Sequence, residues 1–464
     1  MKKNILYRLY SLLFIGMCIA PAALMPVVRS DASKEKRDLA EFPKVKTEEG
    51  KLNFDFFDQF SDYFSDHFAF RQQLVTLDGH MKATVFGTSA NSGVIIGKDG
   101  WLYYSETADD FLNVNTIDSR GISNIVHNIS LMNEFCEDKG VKFLFTVAPN
   151  KNSVYPEHMP FNYIESDRKG NYELLFDKLT DDIPHCDMKE TLKNTSSNMP
   201  LYHKEDTHWN NLGAYAGHAK LMNMLGKEVC PAGNWSIRND RQGDLAAMVY
   251  PADKPDDTQY YTDYQFTYQY QGRFRALDDI SIKTLCEGKD GSLLMYRDSY
   301  GEAILPFMAE CFGAAEFSRS VPYRMDYIES SGIDTVILEI VERNIGNLQK
   351  YAPFMQAPER ELPDISGAGV CSDIVIEKED NGQLVHFYGV LGDGFFSGDD
   401  AVILVTAGDR TYEAFNCFED RLLGREGETS SNGFSLYIPK EQMPDTDNIK
   451  VTVVRNDGSA VTSS

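Results

Sequence analysis

Helical and extended hydrophobic periods alternate along the middle of this chain, and that alternation leaves few folds open. Ile122, Ile125, Val126, Ile129, Met132 and Cys136 recur at helical spacing. They stop at Lys139-Gly140, where a glycine can take the left-handed turn that ends a helix. Val141 to Ala148 then runs largely apolar, the pattern of a strand covered on both faces. The cycle repeats with a helix over 211–227, a strand over 292–296, a helix over 301–311 and a strand over 333–340. Strands separated by helices predict an α/β domain with a mostly parallel sheet. Ligands of such sheets sit beyond the carboxyl ends of the strands. Asn150, Ser299 and Glu342 each follow a predicted strand, so one crevice can receive all three.

The ends of the chain read differently. Met1-Lys2-Lys3 and Arg8 precede a largely apolar run from Leu9 to Val28, about the length that crosses a bilayer. Ala20-Pro21-Ala22 offers small residues for cleavage, but Pro21 suits a cleavage site poorly and the apolar run continues past it. Residues 1–28 are therefore read as a signal anchor in preference to a cleaved signal peptide, with the rest of the chain outside the cytoplasm. The segment 29–84 is read as a charged juxtamembrane linker and an amphipathic helix. Phe54, Phe57, Phe60, Tyr63, Phe64 and Phe68 recur there at helical spacing, as expected of a helix packed on the main domain. The main domain spans 85–362, opening on a hairpin over 95–103 whose turn is Asp99-Gly100. It carries a tyrosine-rich insertion over about 235–284, in which 264–270 alternates as a strand does. Short alternating strands separated by Gly, Asp and Asn over 366–464 predict a separate small β-sandwich.

Charge and cysteine usage narrow the function. The 464 residues include 70 Asp and Glu against 45 Lys and Arg, a net charge of −25. A surface so acidic repels phosphate backbones, so no nucleic-acid partner is expected. Seven cysteines lie outside the N-terminal run, too widely spaced for a dense disulfide framework, though one or two bridges are compatible with them. The chain has neither C-x-x-C nor H-E-x-x-H, so neither common zinc pattern is present. No metal and no cofactor are expected.

Two short blocks carry chemistry. In Glu205-Asp206-Thr207-His208-Trp209-Asn210, an Asp lies two residues before a His, as in the half of a triad that prepares a general base. A metal pair joined by His203, or a histidine satisfied in the core, fits the same residues. Ser299, in Arg297-Asp298-Ser299-Tyr300-Gly301, falls where a strand gives way to a helix. There the backbone N–H groups of Ser299, Tyr300 and Gly301 can face an oxyanion, although a serine at that position is also an ordinary helix cap. Asn150 and Asn152 are further oxyanion candidates, and Arg343 is a candidate for an acidic sugar or for an ion pair with Glu342 or Glu339. A G-x-S-x-G elbow is absent around Ser299, which disfavours the α/β-hydrolase fold.

Taken together, Asp206-Thr207-His208-Trp209-Asn210-x-x-Gly213 and the downstream Asp298-Ser299 block resemble the alginate O-acetyltransferase (AlgJ/AlgX-like) group, including the bacterial DHHW proteins. Arg37-Asp38-Leu39-Ala40, Gly97-Lys98-Asp99-Gly100-Trp101-Leu102, Ala148-Pro149-Asn150-Lys151, Gly243-Asp244-Leu245 and Glu342-Arg343-Asn344 extend the resemblance over about 30–360. The motif opens Asp-Thr where the family name has Asp-His, and the C-terminal region lies outside the resemblance. The resemblance implies an SGNH-hydrolase-like fold with Ser299 as nucleophile, His208 as general base and Asp206 as its orienter. It implies an exported, membrane-anchored O-acetyltransferase of a polysaccharide, with the acetyl donor relayed by a membrane-bound O-acyltransferase. An esterase with the same residues and a non-catalytic glycan-binding or assembly protein are the alternatives.

Overall fold

The computed structural model describes residues 2–28, 39–195, 199–418, 431–443 and 449–464. Arg37, Asp38 and much of the charged linker lie outside the described residues. The first helix, α1 (Lys2–Leu24), is long and apolar enough to cross a membrane, a test that a signal sequence also passes. Helices α2 (Phe56–His67) and α3 (Arg71–Met81) follow. The hairpin β1 (Val94–Ile96) and β2 (Leu102–Tyr104) turns at Asp99 and Gly100, both with positive φ. Asp and Gly tolerate that conformation better than other residues, which is why the pair signals the turn.

The main sheet has seven strands: β3 (Lys142–Ala148), β4 (His185–Cys186), β7 (Gln269–Gln271), β8 (Ser281–Leu285), β9 (Ser292–Tyr296), β10 (Ala314–Ser318) and β11 (Thr335–Val341). Their spatial order is β4-β3-β11-β9-β10-β8-β7, parallel from β4 to β10, with β8 and β7 added antiparallel at one edge. Side chains of β9 alternate between two cores, as a two-fold pleat dictates. Leu293 and Met295 join the core containing Ala214 and Leu221 of the helix Asn211–Leu225 and Ile304 and Met308 of the helix Gly301–Ala309. Leu294 and Tyr296 join the opposite core with Ile125, Ile129 and Met132 of the helix Ser119–Glu137. Burying one such aliphatic side chain stabilises the fold by about 1.5–3 kcal/mol. Covered on both faces, these strands read as continuous apolar runs.

Two expectations need correction. Although amphipathic, α2 does not pack on the domain, for none of its residues is buried. The predicted strand over 264–270 shrinks to β7; the insertion's own ladder is instead β5 (Trp235–Arg241) with β6 (Asp257–Thr262). Tyr264 and Thr267 are drawn off by Glu310, whose carboxylate accepts from the Tyr264 hydroxyl at 3.0 Å and the Thr267 N–H at 2.7 Å. None of the eight cysteines, all of them among the described residues, forms a disulfide.

The C-terminal strands form a six-stranded and a four-stranded sheet. The first comprises β12 (Glu359–Arg360), β13 (Gly369–Cys371), β16 (Ala401–Ala407), β17 (Arg410–Glu413), β20 (Ile449–Arg455) and β21 (Ala460–Ser463). The second comprises β14 (Ile374–Asn381), β15 (Leu384–Leu391), β18 (Phe415–Cys417) and β19 (Gly433–Pro439). Phe387 and Leu436 from one sheet and Val405 and Val453 from the other share one core. This region is not detached from the rest. Phe415 inserts into the core beneath Ser119–Glu137, and Asn128 both accepts from the Asn416 N–H at 3.0 Å and donates to its carbonyl at 2.7 Å.

Candidate active site

Sequence blocks separated by nearly a hundred residues meet at the carboxyl ends of β3, β11 and β9. The segment 201–210 arrives ahead of the helix Asn211–Leu225. Asn210 caps that helix, its side chain accepting from the N–H groups of Leu212 and Gly213 at 2.9 and 3.1 Å. Only glycine fits at 213, because a Cβ there would lie 2.3 Å from the Leu201 carbonyl oxygen. Lys151, buried, grips the same segment by donating to the carbonyls of His203, Lys204 and Asp206 at 3.2, 3.0 and 2.6 Å. Burial pulls the Lys151 ammonium down to about 8, against the opposing pull of Asp244 and Asp206.

Within this frame Asp206, His208 and Ser299 form one hydrogen-bonded line. Asp206 Oδ1 lies 2.7 Å from His208 Nδ1, and His208 Nε2 lies 2.8 Å from Ser299 Oγ. An ionised carboxylate only accepts, so the Asp206 contact fixes the proton on Nδ1 and leaves the Nε2 lone pair facing the hydroxyl. Asp206 is fully buried, which by itself raises its pKa. The hydrogen bond and charge of His208, followed by the charges of Arg241 and His203, reverse that and hold it well below the usual carboxylate range. His208 shows the mirror image: burial lowers its pKa, but the Asp206 carboxylate outweighs this and raises it above the ordinary histidine value.

Arg241, Asp244 and Lys151 have no assigned role in the sequence reading. Arg241 donates to Asp206 Oδ2 from Nε and Nη2 at 3.2 and 2.9 Å, and the Asp244 N–H donates to the same oxygen at 3.3 Å. Asp244 Oδ2 stands 3.6 Å from His208 Nδ1 as a second carboxylate beside the imidazole. Gly243-Asp244-Leu245 was a sequence signal without a role; Arg241, on a strand of the insertion, gave none. Asp206, His208 and Asp244 are close enough together to share a metal ion. The Arg241 guanidinium already supplies the positive charge at Asp206, which disfavours a second cation there. His203, the third ligand in the alternative metal reading, contacts the Thr258 carbonyl through Nδ1 at 2.9 Å, and burial lowers its pKa.

Ser299 is held by its neighbours. Asp298 accepts from the Tyr300 N–H at 2.8 Å and, across the sheet end, from the Val341 N–H at 2.6 Å. The Asp298 N–H donates to buried Glu339 at 3.1 Å, a carboxyl that burial, then the charge of Asp298, pushes well above its ordinary pKa. Tyr300 ties the two blocks together: its hydroxyl donates to the Thr207 carbonyl at 2.9 Å, and its carbonyl accepts from Trp209 Nε1 at 3.0 Å. A Cβ at Gly301 would meet the Arg297 side chain at 2.5 Å, so this turn needs glycine for close approach.

The remaining candidates divide. With the Tyr300 N–H taken by Asp298, Ser299 and Gly301 supply the remaining backbone donors at this turn. Asn150 and Asn152 are fully buried with their amide nitrogens engaged, on Asp110 at 3.1 Å and on Thr107 at 3.0 Å. Asn152 spends both of its amide N–H groups on Thr107 and reads as scaffold, contrary to expectation, whereas Asp110 takes one of the two on Asn150. The Asn150 backbone N–H donates to Glu342 at 2.7 Å, which stitches the ends of β3 and β11. Glu342 pairs with Lys189 at 2.9 Å, and among the described residues no ion pair joins it to Arg343. The Arg343 guanidinium stands 5.7 Å from the ring centres of Tyr104 and Tyr300, with one buried nitrogen lacking a hydrogen-bond partner.

Residues 94–295 match the family described as SGNH hydrolase-like domain, acetyltransferase AlgX. A probable alginate O-acetylase AlgJ of Pseudomonas syringae pv. tomato is 28% identical over 133 residues, which cover 28% of this chain and 32% of that protein. The chain thus matches about a third of the length of this relative. Among solved structures, Bacillus cereus PatB1 aligns with 53% of this chain and 95% of its own, at 20% identity and a TM-score of 0.43. A DHHW family protein of Eubacterium siraeum aligns with 55% of this chain and 92% of its own, at 19% identity and a TM-score of 0.42.

Proposed function

We propose that this chain, with its AlgX-type SGNH domain, is an extracytoplasmic O-acetyltransferase of a cell-surface or secreted polysaccharide. The observation that carries the reading is the line from Asp206 through His208 to Ser299, with contacts of 2.7 and 2.8 Å. In the first step His208 Nε2 takes the Ser299 proton as Oγ attacks the acetyl carbonyl of a donor ester, and the leaving alcohol departs with that proton. Backbone N–H groups of Ser299 and Gly301 stabilise the oxyanion. In the second step a sugar hydroxyl attacks the acetyl-serine, His208 takes its proton, and Ser299 Oγ recovers it on collapse. Asp206 holds the imidazole tautomer and balances the imidazolium. The chemistry needs no cofactor. Arg343 is the proposed contact for an acidic sugar.

The domain limits read from the sequence belong to this proposal, as does anchorage through α1 and supply of acetyl groups by a membrane-bound O-acyltransferase. The test is mass spectrometry of a defined oligosaccharide incubated with the protein and an acetyl ester donor. Gain of acetyl mass is the expected outcome. Loss of pre-existing acetyl groups would replace the transferase by an esterase using the same residues, and no change in either direction would reject acyl chemistry.

A further inference from the structure

Along α3 the usual arrangement of an amphipathic helix is inverted. The residues it buries are Gln72, Thr76 and Gly79. Thr76 Oγ1 accepts from the Ala252 N–H at 2.9 Å, and a Cβ at Gly79 would lie 2.6 Å from the Val249 carbonyl oxygen, so the polar and small face is the one seated on the domain. Leu74, Leu77 and Met81, at helical spacing on the other side, are exposed, Leu77 to 65%. Val85 and Phe86 extend the exposed run beyond the helix. In α2 the aromatic face carries Phe57, Phe60 and Phe64, with Phe57 80% exposed, while Asp58, Asp62 and Asp66 lie on the opposite side. Phe60 and Tyr63 meet Phe42 edge-on at 6.0 and 5.2 Å, and their other ring contacts, with Phe56 and His67, lie within the helix itself. Two consecutive helices thus present apolar faces left largely uncovered among the described residues, and soluble surfaces rarely leave so large a stripe bare.

Where this surface sits decides what covers it. The Ala69 N–H, at the junction of α2 and α3, donates to the Pro21 carbonyl at 3.0 Å. Pro21 lies in the last turn of α1, the one helix among the described residues able to cross a membrane. The junction is therefore tied to the extracytoplasmic end of the span, at the depth where headgroups meet acyl chains. We infer that α2 and α3 lie in the outer surface of the bilayer that α1 crosses, inserting Phe57, Phe64, Leu77 and Met81 among the lipids. The inference rests on reading α1 as a span. The acidic flank of α2 faces water, so apolar insertion and not attraction to anionic headgroups drives the contact. A cavity of about 650 Å³ between Arg71 and Leu74 of α3 and the Asp244–Val249 helix includes Asp244, itself 3.6 Å from His208. This seating turns that cavity, and one side of the triad, toward the bilayer.

The test uses the full chain reconstituted in phosphatidylcholine vesicles with brominated acyl chains. Tryptophan is introduced by Phe57→Trp, Leu77→Trp or, as a control on the exposed C-terminal region, Val370→Trp. Emission at 57 and 77 is expected to shift to the blue and to be quenched by the bromines, while emission at 370 is unchanged. The contact should survive high salt and gain nothing from added phosphatidylglycerol. Resistance to alkaline extraction reads the α1 span separately. Unquenched emission at 57 and 77 in chains that resist extraction would overturn the inference and leave the span intact. Quenching in chains that extract freely would uphold the surface contact and remove the anchor. Shielding of 57 and 77 only after a second membrane protein is added would replace the lipid with a protein partner.

Discussion

At the ends of β9 and β11 charged side chains lie buried, whereas along α2 and α3 apolar side chains lie exposed. Three of the buried charges are answered within the chain: Asp206 by His208 and Arg241, Lys151 by three carbonyls, Glu342 by Lys189 and the Asn150 N–H. Burial without such partners costs several kcal/mol per ion, so the site tolerates these three charges because their partners are in place. The exposed face of α3 has no counterpart among the described residues. A region that balances itself is ready to do chemistry, and one that does not is ready to meet something else.

The largest effect should come from breaking the self-contained region at its reactive atom. Ser299→Ala is expected to lower acetyl turnover by on the order of 10⁴-fold or more, with an unchanged melting temperature. Turnover retained in that variant would sink the assignment of Ser299. Next, Arg241→Gln removes one answer to the Asp206 charge without touching the reacting atoms. A loss on the order of tenfold, about 1.4 kcal/mol of transition-state stabilisation, is expected. The pH profile distinguishes this from simple damage to the fold. The reaction needs neutral His208, whose pKa is raised, so the rate should fall as pH drops through a value above the ordinary histidine range. In Arg241→Gln that acidic limb should move further upward, because the Asp206 charge is less shared; an unmoved limb would mean that Arg241 acts through structure alone.

Smaller effects separate stability from function. Asn128→Ala leaves the buried Asn416 groups unpaired at the joint with the C-terminal sheets, and a loss of about 1–3 kcal/mol in unfolding free energy is expected. Two independent transitions in the native protein would argue instead that the joint carries little. The smallest change belongs to the outward stripe. Leu77→Ser should alter the melting free energy by no more than about 0.5 kcal/mol, since the side chain is 65% exposed. A large drop in stability would show that α3 is covered from within.

Much of the fold was legible because burial on two faces writes itself as period. Val141–Ala148 and Ser292–Tyr296 read as strands, and they pair as parallel neighbours of β11. Asp206, His208 and Ser299 were legible as residue types at suggestive positions, but their distances were not. Arg241 was invisible, because an arginine on a polar strand is ordinary until its partner arrives from 35 positions away. Asn152 misled for a related reason: it lies beyond a strand as a donor should, yet Thr107 claims both of its amide N–H groups. The aromatic stripe of α2 misled too, since spacing defines an apolar face without saying what it faces.

The sequence by itself determined the alternation of helix and strand, the α/β class, the N-terminal apolar run and the two blocks that can supply acid, base and nucleophile. Those properties follow from local periodicity and residue chemistry, which act between neighbours in the chain. Only the tertiary structure decided that the blocks meet, that Arg241 and Asp244 flank them, that β18 joins the main domain, and that α3 turns its polar side inward. Each of these depends on which distant group reaches a donor, a charge or a cavity first, and side-chain packing in three dimensions settles that competition.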